Sequence, residues 1–249
     1  MPKPLPVGKI LFGAFLVPWW NRAPFGRALA VPLGSIAVLL LSWYYGKAYV
    51  SDLASWLLFA VYGVLFTLFA VACHRLVLLG SESSTTRFVP RWSWRESRFF
   101  AWWIAVYLIY VSVWYVSLFP PLTVLANVSS LRDSLETWGK WIDSVARIPA
   151  LYVSARLSLV FPATAVDKHP DLKWSWNLTR NNGWRLVVVV GVLPWVISAI
   201  VSVLYRENAT VLETIVLSTL GIALFAVEIA ALSLSYRELT REPDPPVEA

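Results

Sequence analysis

Residues 92–119 read WSWRESRFFAWWIAVYLIYVSVWYVSLF. The stretch opens on tryptophans and arginines and then runs from Phe99 to Phe119 without a charged residue. About 20 apolar residues are what an α-helix needs to cross a hydrocarbon core of about 30 Å. An indole ring, apolar with one N–H donor, settles where hydrocarbon meets water, and arginines favour the headgroups outside it. This order of residues predicts a transmembrane helix entered from a basic, tryptophan-lined edge.

The rest of the chain agrees with that reading. Its 249 residues are 58% hydrophobic and 14% charged, with a mean hydropathy of +0.62, which is too apolar for a soluble domain of this size. A window of about 19 residues gives six spans: Ala28–Tyr45, Leu53–Cys73, Phe99–Phe119, Ile148–Val166, Leu186–Tyr205 and Ala209–Ser235. The fourth is the weakest, because Arg156 interrupts it between Pro149 and Pro162. The expected fold class is all-α: a polytopic membrane protein forming one membrane domain over 1–249. Within it lie a cytoplasmic or interfacial segment at 1–27, a six-helix bundle at 28–235 and a cytoplasmic tail at 236–249. The N-terminal stretch KILFGAFLVPWW, residues 9–20, has the charged-then-apolar order of a signal peptide. It is interrupted by Pro18 and followed by polar residues rather than a cleavage site, so an interfacial helix is expected instead.

Basic residues set the expected topology. Of the 21 lysines and arginines, fifteen fall before the first span, in the loops after the second and fourth, and in the tail. Five fall in the opposite loops, and Arg156 lies inside a span. Positive loops stay inside, so both termini are expected in the cytoplasm and the chain in a bacterial inner membrane. The net charge of +6 then faces anionic inner-leaflet phospholipid rather than nucleic acid.

The opening motif recurs as WSWNLTR at residues 174–180. Arg75 precedes the first copy and Arg156 the second, and Arg98 and Arg180 close them. The pattern reads either as a chance match of a short string or as a parallel duplication of helix, cytoplasmic loop, helix, an arrangement found in transporters. The duplication is the expectation taken forward, with Trp92, Trp94, Trp174 and Trp176 as interfacial anchors beside Arg98 and Arg180. Residues 88–96 and 170–180 are expected to lie on the inner surface as short helices or turns.

Residues 152–190, YVSARLSLVFPATAVDKHPDLKWSWNLTRNNGWRLVVVV, resemble the multi-pass membrane domain found ahead of the catalytic domain in some bacterial glycerophosphoryl diester phosphodiesterases, and in stand-alone bacterial membrane proteins without an assigned role. Arg156, Pro162, Asp167, Ser175, Trp176, Thr179, Arg180, Asn182, Trp184 and Arg185 carry the resemblance. It implies a membrane domain and no phosphodiesterase activity, because the catalytic barrel has no counterpart in this sequence.

Ionisable groups inside a membrane cost about 2.5–3.5 kcal/mol each on insertion scales and are the default site candidates. Arg75, Arg156 and Glu228 form the candidate intramembrane or lipid-phosphate site. Three readings of it stay open: an Arg156–Glu228 ion pair holding the bundle, a lipid phosphate gripped by Arg75 and Arg156, and a proton or substrate pathway through Glu228. On the last predicted span, Thr214, Ser218, Gly221, Phe225, Glu228, Leu232 and Ser235 make a stripe expected to face other helices. His74 and His169 have no metal-ligand spacing, Cys73 is the one cysteine, and no nucleophile elbow is written. No catalytic residue, metal or cofactor is expected. The chain reads as a non-enzymatic membrane protein that organises or assists other membrane proteins, or copies of itself, through inner-leaflet lipids. The alternative is a small transporter or channel subunit acting as an oligomer. An intramembrane enzyme would need His74, Arg75, Arg156 and Glu228 around one cavity.

Overall fold

A computed structural model describes residues 4–27, 30, 34–35, 52–80, 92–127, 135–204 and 210–241. Among these residues the chain is helical, with no strand. The elements are α1 (Val7–Trp20), α2 (Asp52–Leu79), α3 (Trp94–Asn127), α4 (Leu135–Leu157), α5 (Val160–Ala165), α6 (Leu172–Leu178), α7 (Gly183–Val187), a π-helical turn (Val188–Val192), α8 (Leu193–Leu204) and α9 (Val211–Thr240). The expected first span Ala28–Tyr45 and the stretch 81–91 lie outside the described residues, apart from Ala30, Gly34 and Ser35 in the span.

Among the described residues, five helical stretches are long and apolar enough to cross a membrane: Ala60–Leu79, Trp94–Pro121, Trp141–Ala165, Gly183–Leu204 and Leu212–Thr240. The chain is built as an all-α membrane protein. Of the five, Trp141–Ala165 has the lowest hydropathy, 1.3, and the largest buried share, 61%. The span that reads weakest in sequence is therefore the central one. A helix wrapped by protein need not be apolar all round, because its polar groups meet other helices instead of lipid.

Local chemistry sets the helix boundaries. The carboxylate of Glu96 accepts a hydrogen bond from the backbone N–H of Ser93 at 2.9 Å and another from its hydroxyl, so α3 starts at Trp94. Trp94 thus opens the spanning helix instead of lying in a surface segment, while the second copy does form a short separate helix, α6. At α9, Thr210 and Glu213 exchange both bonds of a capping box, at 2.7 and 3.2 Å. In the fifth span Pro194 cannot follow a regular turn without its ring meeting the carbonyl of Val190. The chain widens there into the π-helical turn, and the N–H of Leu193 reaches the carbonyl of Val188.

The most extensive packing is between α3 and α4, and α1 lies along α9 with Ile10 and Ala14 buried. The core gathers at one end of the bundle. Phe69, Cys73 and His74 of α2, Leu159, Val160, Ala163 and Ala165, Leu186, and Ala226, Ala230, Ala231 and Tyr236 of α9 are buried there. The C-terminal ends of α2, α4 and α9 and the N-terminal ends of α3 and α7 meet at this tryptophan-rich end, around residues 158–182.

Candidate functional site

Every helix leaves its last carbonyls without intrahelical donors, and two helices end close together at this end of the bundle. Arg156 stands in the last turn of α4, and its guanidinium crosses to α6 to donate to the carbonyl of Trp176 and to the hydroxyl of Thr179, the latter at 3.2 Å. The same guanidinium lies 3.6 Å over the Trp176 ring, with Tyr152 5.8 Å away on the α4 side. In return the hydroxyl of Ser175 donates to the carbonyl of Arg156 at 2.7 Å. The Thr179 hydroxyl donates to the carbonyl of Ser175 at 2.9 Å. Two helix C-termini thus cap each other through side chains. Arg156 is buried, and this exchange together with the indole face is what replaces water around its charge.

A second cluster closes the turn after α5. The N–H groups of Lys168 and Asp167 return to the carbonyls of Ala163 and Thr164, which is a Schellman ending with Asp167 in the left-handed region at φ 63°. Glycine is usual there, and aspartate tolerates it better than most residues. Arg75 donates to the Asp167 carboxylate at 2.8 Å and to the last carbonyl of α5, Ala165, at 3.0 Å, while Arg95 reaches the same carboxylate at 3.1 Å. Partial burial works to raise the Asp167 pKa, but the Arg75 hydrogen bond and the charges of Arg95 and Arg75 outweigh it and hold the carboxyl below its ordinary value.

The expected site residues divide accordingly. Arg75 and Arg156 do meet the same hairpin, but each directs its donors to protein acceptors. The expected Arg156–Glu228 pair is not formed: the ion pairs among the described residues involve Arg75, Arg95 and Arg147 with carboxylates, and neither Arg156 nor Glu228. The guanidinium is engaged instead by the Trp176 carbonyl and by the hydroxyl of Thr179 at the end of α6. Glu228 sits half-buried on α9 without a hydrogen-bonding partner among the described residues. In its stripe Ser235 is buried, while Thr214, Ser218, Gly221, Phe225 and Leu232 are half-buried.

The two WSW copies make different bonds. Ser93 binds the carboxylate that starts α3, whereas Ser175 lies inside α6 and holds Arg156. Trp92 donates to Ser97 at 2.9 Å, Trp94 is exposed, Trp174 packs on Tyr236 with ring centroids 6.3 Å apart, and Arg180 is exposed. His74 accepts or donates across 2.7 Å to Ser233, tying α2 to α9. His74, Arg75, Arg156 and Glu228 therefore do not share one cluster of bonds. Among the described residues, no group of three or more His, Cys, Asp or Glu is placed to hold a metal ion.

Several polar contacts escaped the sequence reading. The side chain of Asn182 is buried and accepts the backbone N–H of Leu5 at 2.8 Å, anchoring the segment before α1. Asp143 accepts from the Trp114 indole at 3.0 Å and pairs with Arg147 at 2.8 Å, linking α3 to α4. Arg98 donates to the ring of His169 across the loop. Only the Asp143–Arg147 pair left a sequence signal, its spacing of four on a helix. The chain matches no family model, and no curated protein or solved structure is similar to it at a significant level.

Proposed function

We propose that the chain is a non-enzymatic, six-span protein of a bacterial inner membrane that organises or assists other membrane components, through protein contacts and through anionic inner-leaflet phospholipid. Both termini and both WSW segments face the cytoplasm in this reading. The observation that carries it is the closure of the polar groups at the tryptophan-rich end. Arg75, Arg95, Arg156, Ser175, Thr179 and Asn182 bond one another, helix ends or Asp167 and Glu96. Such a lattice fixes a shape, and it turns these side chains to one another and to helix ends rather than to a passing solute. Exposed Trp19, Trp20, Trp94 and Trp184 suit partner or interface contact.

Purification of the full chain in mild detergent, with identification of bound protein and lipid, tests the proposal. A recurrent protein partner together with anionic phospholipid enriched over the bulk membrane is the expected result. Absence of both counts against it. A transporter or channel subunit acting as an oligomer is the second reading, favoured by Glu228, half-buried in a span without a partner among the described residues. It requires solute flux in liposomes that Glu228→Gln abolishes.

A further inference from the structure

Arg98, Ala101, Trp102 and Ala105 follow one another at helical spacing and share one face of α3. Trp102 leans on Val106, Leu157 and Val160. A cavity of about 380 Å³ is left between this face and the loop, lined by those four residues with His169 and Pro170. Its walls are apolar along the helix, and its mouth is polar at Arg98 and His169. From Arg98 to Ala105 the helix advances about 10 Å, so the groove runs into the spanning part of α3.

The carboxylates beside the mouth are engaged elsewhere. Asp167 is shared by Arg75 and Arg95, Glu96 is held by Arg95 and Ser93, and Asp171 caps α6 by accepting the N–H of Trp174. Arg98 has no carboxylate within ion-pair distance among the described residues, and its partner there is a ring nitrogen of His169. Its Nε–H is buried with no acceptor, and a buried donor left unsatisfied is costly.

We infer that this groove is a binding site for one anionic phospholipid, with the phosphate held by Arg98 at the mouth and an acyl chain lying along Ala101 and Ala105. A guanidinium fork suits phosphate oxygens, and an apolar groove with one charged end aligned along a spanning helix fits an amphiphile in a leaflet. The site rests on the lipid half of the proposed function and places it at Arg98, which lines the groove, not at Arg75 or Arg156, which bond protein acceptors at helix ends.

Native mass spectrometry of the full chain, released from detergent carrying phosphatidylglycerol or phosphatidylcholine, reads the site directly. Wild-type protein retains phosphatidylglycerol in preference to phosphatidylcholine. Arg98→Gln and the groove-filling Ala105→Phe each lower that retention about fivefold or more, the scale of one basic residue at an anionic surface. Arg147→Gln, on α4 and not among the residues lining the groove, leaves it unchanged. Inorganic phosphate added in excess does not displace the lipid, because it lacks the chain that fills the groove. Ala101→Leu fills the same space if Ala105→Phe does not fold. Folded groove-filling variants that keep wild-type retention overturn the site while leaving the lipid half of the proposed function standing. A wild-type protein that retains no anionic phospholipid overturns both, and displacement by phosphate alone overturns the acyl-chain assignment.

Discussion

The guanidinium of Arg156 lies 3.6 Å over the indole of Trp176 and donates to that residue's own backbone carbonyl. One residue of α6 thus supplies both the face and the acceptor for a charge buried at the end of α4. The arrangement makes Arg156 a structural clamp between two helix ends.

Coupling should therefore appear within the hairpin and not across to α9. In a double-mutant cycle, Arg156→Met and Trp176→Leu should couple by about 0.5–2 kcal/mol. Arg156→Met with Glu228→Gln should add within about 0.5 kcal/mol. Thermal unfolding in detergent measures both cycles. Strong coupling to Glu228 would restore the ion pair that the sequence first suggested.

The serines at the equivalent WSW positions should differ sharply. Ser175→Ala removes a donor from a buried carbonyl and should cost about 1–3 kcal/mol. In Ser93→Ala the backbone N–H of Ser93 still binds Glu96, so the loss should stay under about 1 kcal/mol. Equal losses would mean the two copies act alike, which the differing bonds oppose.

The helical, membrane-spanning character was legible because it depends on composition and run length, which no tertiary contact can alter. The burial of the fourth span was not, because Arg156 and its flanking prolines lower hydropathy whether a helix faces lipid or protein. Arg156 stood out as an unusual residue, yet its partner did not. Sequence offers carboxylates as partners for an arginine, while backbone carbonyls at helix ends become acceptors only once two ends are brought together. The capping box Thr210–Glu213 was written in plain spacing and went unread, whereas Asn182 holding Leu5 across the chain had no local signal.

Asp167 predicts an acid-sensitive loop. Its folded pKa is depressed by Arg75 and Arg95, so its contribution is present above the unfolded value near 3.9 and fades as pH falls through the lower folded value. Because the carboxylate is largely exposed, screening keeps the contribution to about 1 kcal/mol or less. Asp167→Asn, which still tolerates the left-handed turn, should flatten the acid limb of the stability profile below about pH 4. It should change little of the loop's shape as read by proteolysis. An acid limb that survives in Asp167→Asn would assign the sensitivity to another carboxylate.

Gly183 opens α7 directly beneath Tyr152, and two physical effects compete there. A methyl group added at this position would sit 2.9 Å from both Cε2 and the hydroxyl oxygen of Tyr152, closer than such atoms can approach. Alanine in a helix is otherwise favoured over glycine by about 0.5–1 kcal/mol. Tyr152 is not free to swing away, since its ring is set between Trp184, 4.9 Å away, and Trp176, 6.5 Å away, with Arg156 alongside. Overpacking should win, and Gly183→Ala should destabilise by about 1–3 kcal/mol. In a Tyr152→Leu background the obstacle is gone and only the propensity remains, so the same Gly183→Ala change should become neutral or mildly stabilising. Thermal unfolding of the four proteins reads the reversal. An equal loss in both backgrounds would show that the glycine is required by the backbone and not by the ring above it.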